Sequence, residues 1–404
     1  MNQKQAIKKL LIGLFSLTLI FGQILVAGDH LLSGQAQNAG FDLEKLQRVD
    51  AVIQQHISDG KIPGATLLIA RKGYIAYRKA YGNAQLTPTV EKMTEDKIFD
   101  MASCTKPVAT ASSVMLLVEE GKIRLADPVK LYIPEYTDFI DSVGKKDEPI
   151  RVYHLLTHTS GLPPYTNANA LKEKFGSPCP DQLVQTIATI KKQNPPGKVF
   201  DYSCLGFITL AEIVHRISGK TIDEFSQERI FTPLGMKSTL FCPPEKFQPR
   251  IAPTEVINGK PLRGFVHDPL AQLMDGKSGN AGLFSTIDDL AIFCQMLLNG
   301  GTYGGTRIFS PLTVQAMTSV YSDLAFAGRG LGWDVNSAYN SNLGDLFPEG
   351  TFGHTGFTGT SICVDPKTET IVILLTNAVH IPNSSAIRLR SLVANIVAAS
   401  IVKY

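Results

Sequence analysis

Residues 65–81 read ATLLIARKGYIAYRKAY. Two runs rich in β-branched and aromatic residues, Ala65 to Ala70 and Tyr74 to Tyr81, flank Arg71-Lys72-Gly73, a pattern that predicts a β-hairpin. On its N-terminal side Leu43, Leu46, Val49, Ile53 and Ile57 recur at helical spacing until Asp59-Gly60, predicting an amphipathic helix from Phe41 to Ile57. The far end of the chain mirrors this arrangement. Thr360 to Val364 and Thr370 to Thr376 flank Asp365-Pro366-Lys367, and a last helix carries Ile387, Leu392, Val393, Ile396 and Val397 on its apolar face. Helix and hairpin at one end, with hairpin and helix at the other, predict an α+β fold: one antiparallel β-sheet built from both termini and flanked by helices. Between them, Val108 to Glu120, Leu183 to Lys192, Phe207 to Ile217 and Ile287 to Leu298 read as helices separated by Gly- and Pro-rich loops. This mainly helical region, about residues 100 to 310, is expected as an insertion beside the sheet.

A chain of 404 residues with 44% hydrophobic and 19% charged side chains is that of a folded globular protein, not of a disordered, collagenous or multi-spanning one. The net charge is +3, and Lys4, Lys8 and Lys9 against Asp29 place most of it in residues 1–36. The rest lacks the basic field that nucleic acid requires, so no nucleic-acid partner is expected. Those lysines precede an uncharged stretch from Leu10 to Gly28, and Gly34-Gln35-Ala36 offers a small-x-small cleavage site. Residues 1–36 therefore read as an export signal or an N-terminal membrane anchor. Residues 37–404 read as the functional domain, exported to a periplasmic or extracellular location. The first of six cysteines is Cys104 and no C-x-x-C occurs, so neither N-terminal lipidation nor a zinc ribbon is expected.

A serine attacks a carbonyl only if its proton is accepted, and a lysine one helical turn later places an amine on the same face. Ser103-Cys104-Thr105-Lys106 has that spacing at the start of a helical run, with Pro107 tolerable where backbone N–H groups lack partners anyway. Ser58/Lys61 and Ser142/Lys145 match too, but each spans a glycine at a turn and reads as chance. Tyr202, in Phe200-Asp201-Tyr202-Ser203-Cys204, can relay protons if a nearby ammonium stabilises its phenolate. His354-Thr355-Gly356 enters the last hairpin among Gly353, Gly356 and Gly359, which allow a substrate backbone to approach. His154 and His158 are four apart, but no Glu follows His154. Packing and hydrogen bonding, rather than zinc, is the expected role. Trp333 reads as a core tryptophan.

In that order, Ser103-Cys104-Thr105-Lys106, Tyr202 and His354-Thr355-Gly356 resemble the three motifs of the class C β-lactamase-like serine hydrolases. That family includes penicillin-binding D-alanyl-D-alanine carboxypeptidases and esterases. His154 to Leu162, Glu228 to Met236 and Ala281 to Thr286 extend the resemblance over roughly residues 43 to 400. It implies Ser103 as nucleophile, Lys106 as proton acceptor or electrostatic activator, and Tyr202 as acid/base. It further implies the amides of Ser103 and Phe357 as the oxyanion hole. His354, Thr355, Gly356, Phe357 and Cys204 would touch substrate, and no cofactor or metal is implied. For Lys106 to accept a proton, its pKa must fall from about 10.4.

The chain departs from the family pattern twice. Cys204 stands where the family carries the Asn of Tyr-x-Asn, and a thiol lacks the two-sided hydrogen bonding of an amide. Strict Tyr-x-Asn occurs instead at Tyr81-Gly82-Asn83 and Tyr165-Thr166-Asn167, in the wrong context. His354 stands where β-lactamases carry Lys, and a neutral imidazole holds a substrate carboxylate weakly. The resemblance puts Cys104 and Cys204 in one cleft, where a disulfide is conceivable. The expectation is an exported serine hydrolase acting through an acyl-enzyme on D-alanyl peptides or esters, small or peptidoglycan-derived. The alternatives are a β-lactamase and a non-catalytic peptidoglycan- or penicillin-binding protein.

Overall fold

The main sheet of the computed structural model comprises β1 (Leu32–Ser33), β2 (Gly64–Arg71), β3 (Tyr74–Gln85), β4 (Phe352–Thr355), β5 (Ser361–Asp365) and β6 (Thr370–Leu375). Residues 30–337 and 342–402 are described. The apolar run Leu10 to Gly28, on which the export reading depends, lies outside them, and no described helix is long and apolar enough to cross a membrane. The strand order is β1-β3-β2-β6-β5-β4, with Glu91–Lys92 pairing off β3. Every pair is antiparallel except β1 with β3. Both chain ends thus meet in the middle of one sheet, where β2 pairs with β6.

Five helices position the site: α1 (Arg48–Ser58), α2 (Ser112–Glu119), α3 (Cys204–Ser218), α4 (Ile287–Leu298) and α5 (Ile387–Ala399). The sheet is covered on both faces, which explains why β2 reads as an unbroken apolar run rather than an alternating one. Ala65, Leu67 and Ile69 face Val49, Ile53, Leu389 and Val393 of the terminal helices. Leu68 and Ala70 face the opposite core, with Ile371, Ile373 and the helical region. On α5 the buried residues are Leu389, Arg390, Val393, Ala394 and Val397. The predicted apolar face is thus shifted, and Ile387 is exposed.

The first hairpin is tighter than its sequence suggested. Arg71 is a strand residue paired with Tyr74, and the turn is Lys72-Gly73 alone, with φ 52° and 78°, the left-handed pair that two-residue hairpins favour. Arg71 is buried, its Nη1 donating to Ala39 O at 2.7 Å and its Nε to Thr368 O at 2.9 Å. The helical region contains a small sheet that the helix periodicity did not foretell: Phe99–Asp100, Leu283–Ser285 and Leu240–Phe241. It delivers the chain to Ser103.

Trp333 is wholly buried, edge-on to Phe352 at 5.1 Å between ring centroids and stacked with Phe293 at 6.5 Å. Trp333→Ala should therefore destabilise the fold by about 3–5 kcal/mol, read from chemical unfolding followed by circular dichroism. A change below about 1 kcal/mol would contradict this packing.

Candidate active site

Asp100 ends its short strand, and Ala102 follows with φ 45°, a conformation that non-glycine residues seldom adopt. A continuous helical run then begins: a 3-10 turn over Ala102–Cys104, a wide π turn over Lys106–Ala111, and α2. Such π turns are frequent at functional sites, and here the turn starts at Lys106. The Lys106 side chain is fully buried. Its Nζ donates to Ser103 Oγ at 3.0 Å and to Asn280 O at 2.9 Å, and lies 3.5 Å from Cys204 Sγ.

Tyr202 approaches from the loop before α3. Its hydroxyl reaches Ser103, and its ring lies 5.1 Å from Lys106 Nζ. His158, itself at φ 58°, stacks on that ring with centroids 4.2 Å apart. Its Nδ1 accepts the Ser203 amide at 3.0 Å and its carbonyl accepts the Asp201 amide at 2.9 Å, so the tyrosine is held from both sides. Burial keeps His158 neutral, well below the ordinary imidazole range.

Burial pulls the Lys106 ammonium down, but anionic Cys204 and Tyr202 would push it up by more, and the balance is above the ordinary lysine value. Burial likewise raises the Tyr202 phenol, against the lowering effect of Lys106. The rise at Lys106 draws on Tyr202 as an anion, whereas burial keeps the phenol protonated, so the two shifts belong to different charge states of the pair.

His354, Thr355, Gly356 and Phe357 line a cleft of about 470 Å³ with Ser103 and Tyr202. His354 Nδ1 is 2.9 Å from the Thr355 carbonyl, an acceptor only, so the proton sits on Nδ1. Nε2 is left as a buried acceptor without a partner among the described residues. Burial holds this ring neutral as well. Phe357 is 75% exposed and lines the cleft together with Ile387.

The remaining cleft residues escaped the sequence reading. Arg329 ion-pairs with Asp334 at 3.2 Å and places its guanidinium 5.9 Å from the Tyr202 ring centroid. Arg390, from α5, donates to Gly356 O at 2.6 Å, and burial lowers its pKa to about 10. An arginine on an apolar helix face was the available signal for Arg390. Asn280 contributes through its carbonyl, which leaves no signature in side-chain identity.

The alternative assignments separate cleanly. Tyr165 bonds Asp268 and the Leu270 amide, and Tyr81 bonds Asp50 and Tyr77, so Tyr202 is the tyrosine brought to Ser103. Cys104 and Cys204 are both free. Cys104 Sγ faces the His354 carbonyl at 3.5 Å, whereas Cys204 faces Lys106. His154 Nδ1 caps the Arg151 amide at 3.0 Å, the packing and hydrogen-bonding role expected of it.

Residues 49–395 match the family model described as Beta-lactamase. The chain is 34% identical over 379 residues to a proposed D-alanyl-D-alanine carboxypeptidase of Escherichia coli (strain K12), covering 87% of this chain and 86% of that one. It is 35% identical over 376 residues to the N-acetylmuramyl-L-alanine amidase of Bacillus subtilis (strain 168), covering 86% and 84%. Among solved structures it resembles EstCE1, a hydrolase with promiscuous acyltransferase activity. That likeness has a TM-score of 0.71 and 25% identity, with 88% and 99% coverage. A penicillin-binding protein homologue from Caulobacter crescentus shares the fold at a TM-score of 0.67 and 22% identity, with 88% and 99% coverage. Matched along most of its length, the chain belongs to the β-lactamase family and is a serine hydrolase of that family.

Proposed function

We propose that the protein is an exported serine hydrolase that forms an acyl-enzyme on Ser103, with D-alanyl peptides of peptidoglycan as its substrates. The observation that carries this reading is the Lys106 Nζ to Ser103 Oγ contact of 3.0 Å at the floor of the cleft, with the Tyr202 hydroxyl in reach. Ser103 Oγ attacks the acyl carbonyl while the amides of Ser103 and Phe357 receive the developing oxyanion. Tyr202 takes the Ser103 proton as it gives its own to the leaving amine, so a neutral phenol suffices. Lys106 stays an ammonium throughout and stabilises the phenolate character of the transition state. Water then reverses the relay and frees the acid product. The Arg390 guanidinium beside Gly356, with no carboxylate paired to it among the described residues, suits a peptide that ends in a carboxylate. The relatives named for D-alanyl-D-alanine and N-acetylmuramyl-L-alanine amide bonds support the same choice.

A second reading, ester hydrolysis, is favoured by Cys204. Its thiol stands in the amide position and touches Lys106, and an ester's better leaving group needs less help from amide recognition. Treatment with a fluorophosphonate and peptide mapping by mass spectrometry should place the phosphonyl adduct on Ser103. Hydrolysis of a D-alanyl-D-alanine peptide, a short acyl ester and a chromogenic lactam should then rank in that order. Ester turnover exceeding peptide turnover would install the second reading. No adduct and no turnover, with retained binding of cell-wall fragments, would overturn both in favour of a binding protein.

A further inference from the structure

Asp100 is fully buried three residues before the nucleophile, and no side-chain cation lies within ion-pair distance of it among the described residues. Its two carboxylate oxygens serve different segments. Oδ1 accepts the Ala102 amide at 2.8 Å, and Oδ2 accepts the His267 amide at 2.7 Å. Its own carbonyl accepts Thr358 Oγ1 at 2.8 Å, and the Met101 carbonyl accepts Thr360 Oγ1 at 3.0 Å. The turn after β4 is pressed against this segment so closely that a Cβ on Gly356 would lie 2.5 Å from Met101 O.

Each carboxylate bond ends beside one donor of the oxyanion hole. Ala102, held at φ 45°, directly precedes Ser103, so the orientation of its following peptide sets where the Ser103 N–H points. The His267 ring stacks on Phe357 with centroids 5.2 Å apart and planes 13° apart. Fixing the His267 main chain therefore backs the residue whose amide is the second donor. A buried carboxylate served only by amides opposes stability when ionised, and such local conflicts concentrate at functional sites.

We propose that Asp100 is a positioning residue that aims both backbone donors of the oxyanion hole and does so only as the carboxylate. The inference rests on the acyl-enzyme reading above. A protonated carboxyl would turn an O–H toward one of two N–H donors and lose that bond. Burial pushes the group up to about 6, against the two amides and His267, while Asp268 adds to the rise. His267 is itself raised by its pairing with Glu255, whose carboxyl is held low. The carboxylate fraction therefore falls as pH falls through about 6, and acylation falls with it.

The test is the rate of Ser103 phosphonylation and the kcat and KM for the preferred substrate, from about pH 5 to about pH 8, for the wild type and Asp100→Asn. Asparagine has one acceptor oxygen and must face the other amide with its own NH2. A folded Asp100→Asn protein should lose about 100-fold in kcat with KM changed only a few-fold, the effect of a misaimed oxyanion donor. It should also lose the acid limb expected of the wild type near pH 6. Wild-type kcat in the variant, or an unchanged acid limb, would overturn the proposal. So would a wild-type phosphonylation rate that is flat across that pH range, a measurement that needs no variant to fold. A wild type that labels at no pH instead removes the acyl-enzyme reading, and this inference with it.

Discussion

Ser103→Ala should fold normally and lose hydrolysis by about 1,000-fold or more in kcat, together with all phosphonyl labelling at that position. The reason is that Ser103 Oγ, unlike the cleft hydroxyls of Thr355, Ser384 and Ser385, is bonded by Lys106 Nζ. The Cys204 thiol also touches Lys106, but it lies outside the residues that line the cleft. The fold should be insensitive because Lys106 keeps its bond to Asn280 O and its contact with Cys204 Sγ when the serine hydroxyl is gone. Stability within about 1 kcal/mol of wild type is the expected control. Residual hydrolysis at a tenth of the wild-type rate by the folded variant would show that Ser103 is not the nucleophile.

Tyr202→Phe should reduce kcat by about 100- to 10,000-fold. Phenylalanine keeps the ring that stacks on His158 at 4.2 Å, so the loop should stay in place and only the proton relay should be lost. The variant also separates the two candidate bases. With fluorophosphonate the Ser103 proton departs with fluoride as HF, through Tyr202 if the phenol relays it, so slow labelling would mean that Tyr202 accepts the Ser103 proton. Wild-type labelling with lost turnover would mean that Lys106 accepts it and that Tyr202 serves only the leaving group and water. The first outcome is expected. Burial raises the Tyr202 phenol and keeps it protonated across neutral pH, and Lys106 Nζ sits between two acceptors, Asn280 O at 2.9 Å and Ser103 Oγ at 3.0 Å, a setting that favours the ammonium. An ammonium cannot accept a proton, whereas a phenol can take one as it gives one.

The two hairpins, α1, α4 and α5, and the approximate place of the helical region were legible because they rest on local periodicity. The pairing of β2 with β6 followed only by analogy between the chain ends. Ser103 and Lys106 were legible because three residues along a helix place two side chains on one face. The small sheet that includes Phe99–Asp100 was not, since its strands are two or three residues long and carry no measurable alternation. Arg71 was read as a turn residue because its charge disguised a buried strand position.

By itself the sequence determined the α+β layout, the spacing that puts Lys106 beside Ser103, and the family, each from residues close together or in a fixed order. Tertiary structure alone decided the rest. It put Cys104 and Cys204 against different partners and brought Arg390 to Gly356. It also set Asp100 between Ala102 and His267, residues that lie 2 and 167 positions away along the chain. The physical reason is that these contacts run through backbone amides, carbonyls and ring faces. Every residue offers such groups, so only packing determines which of them meet.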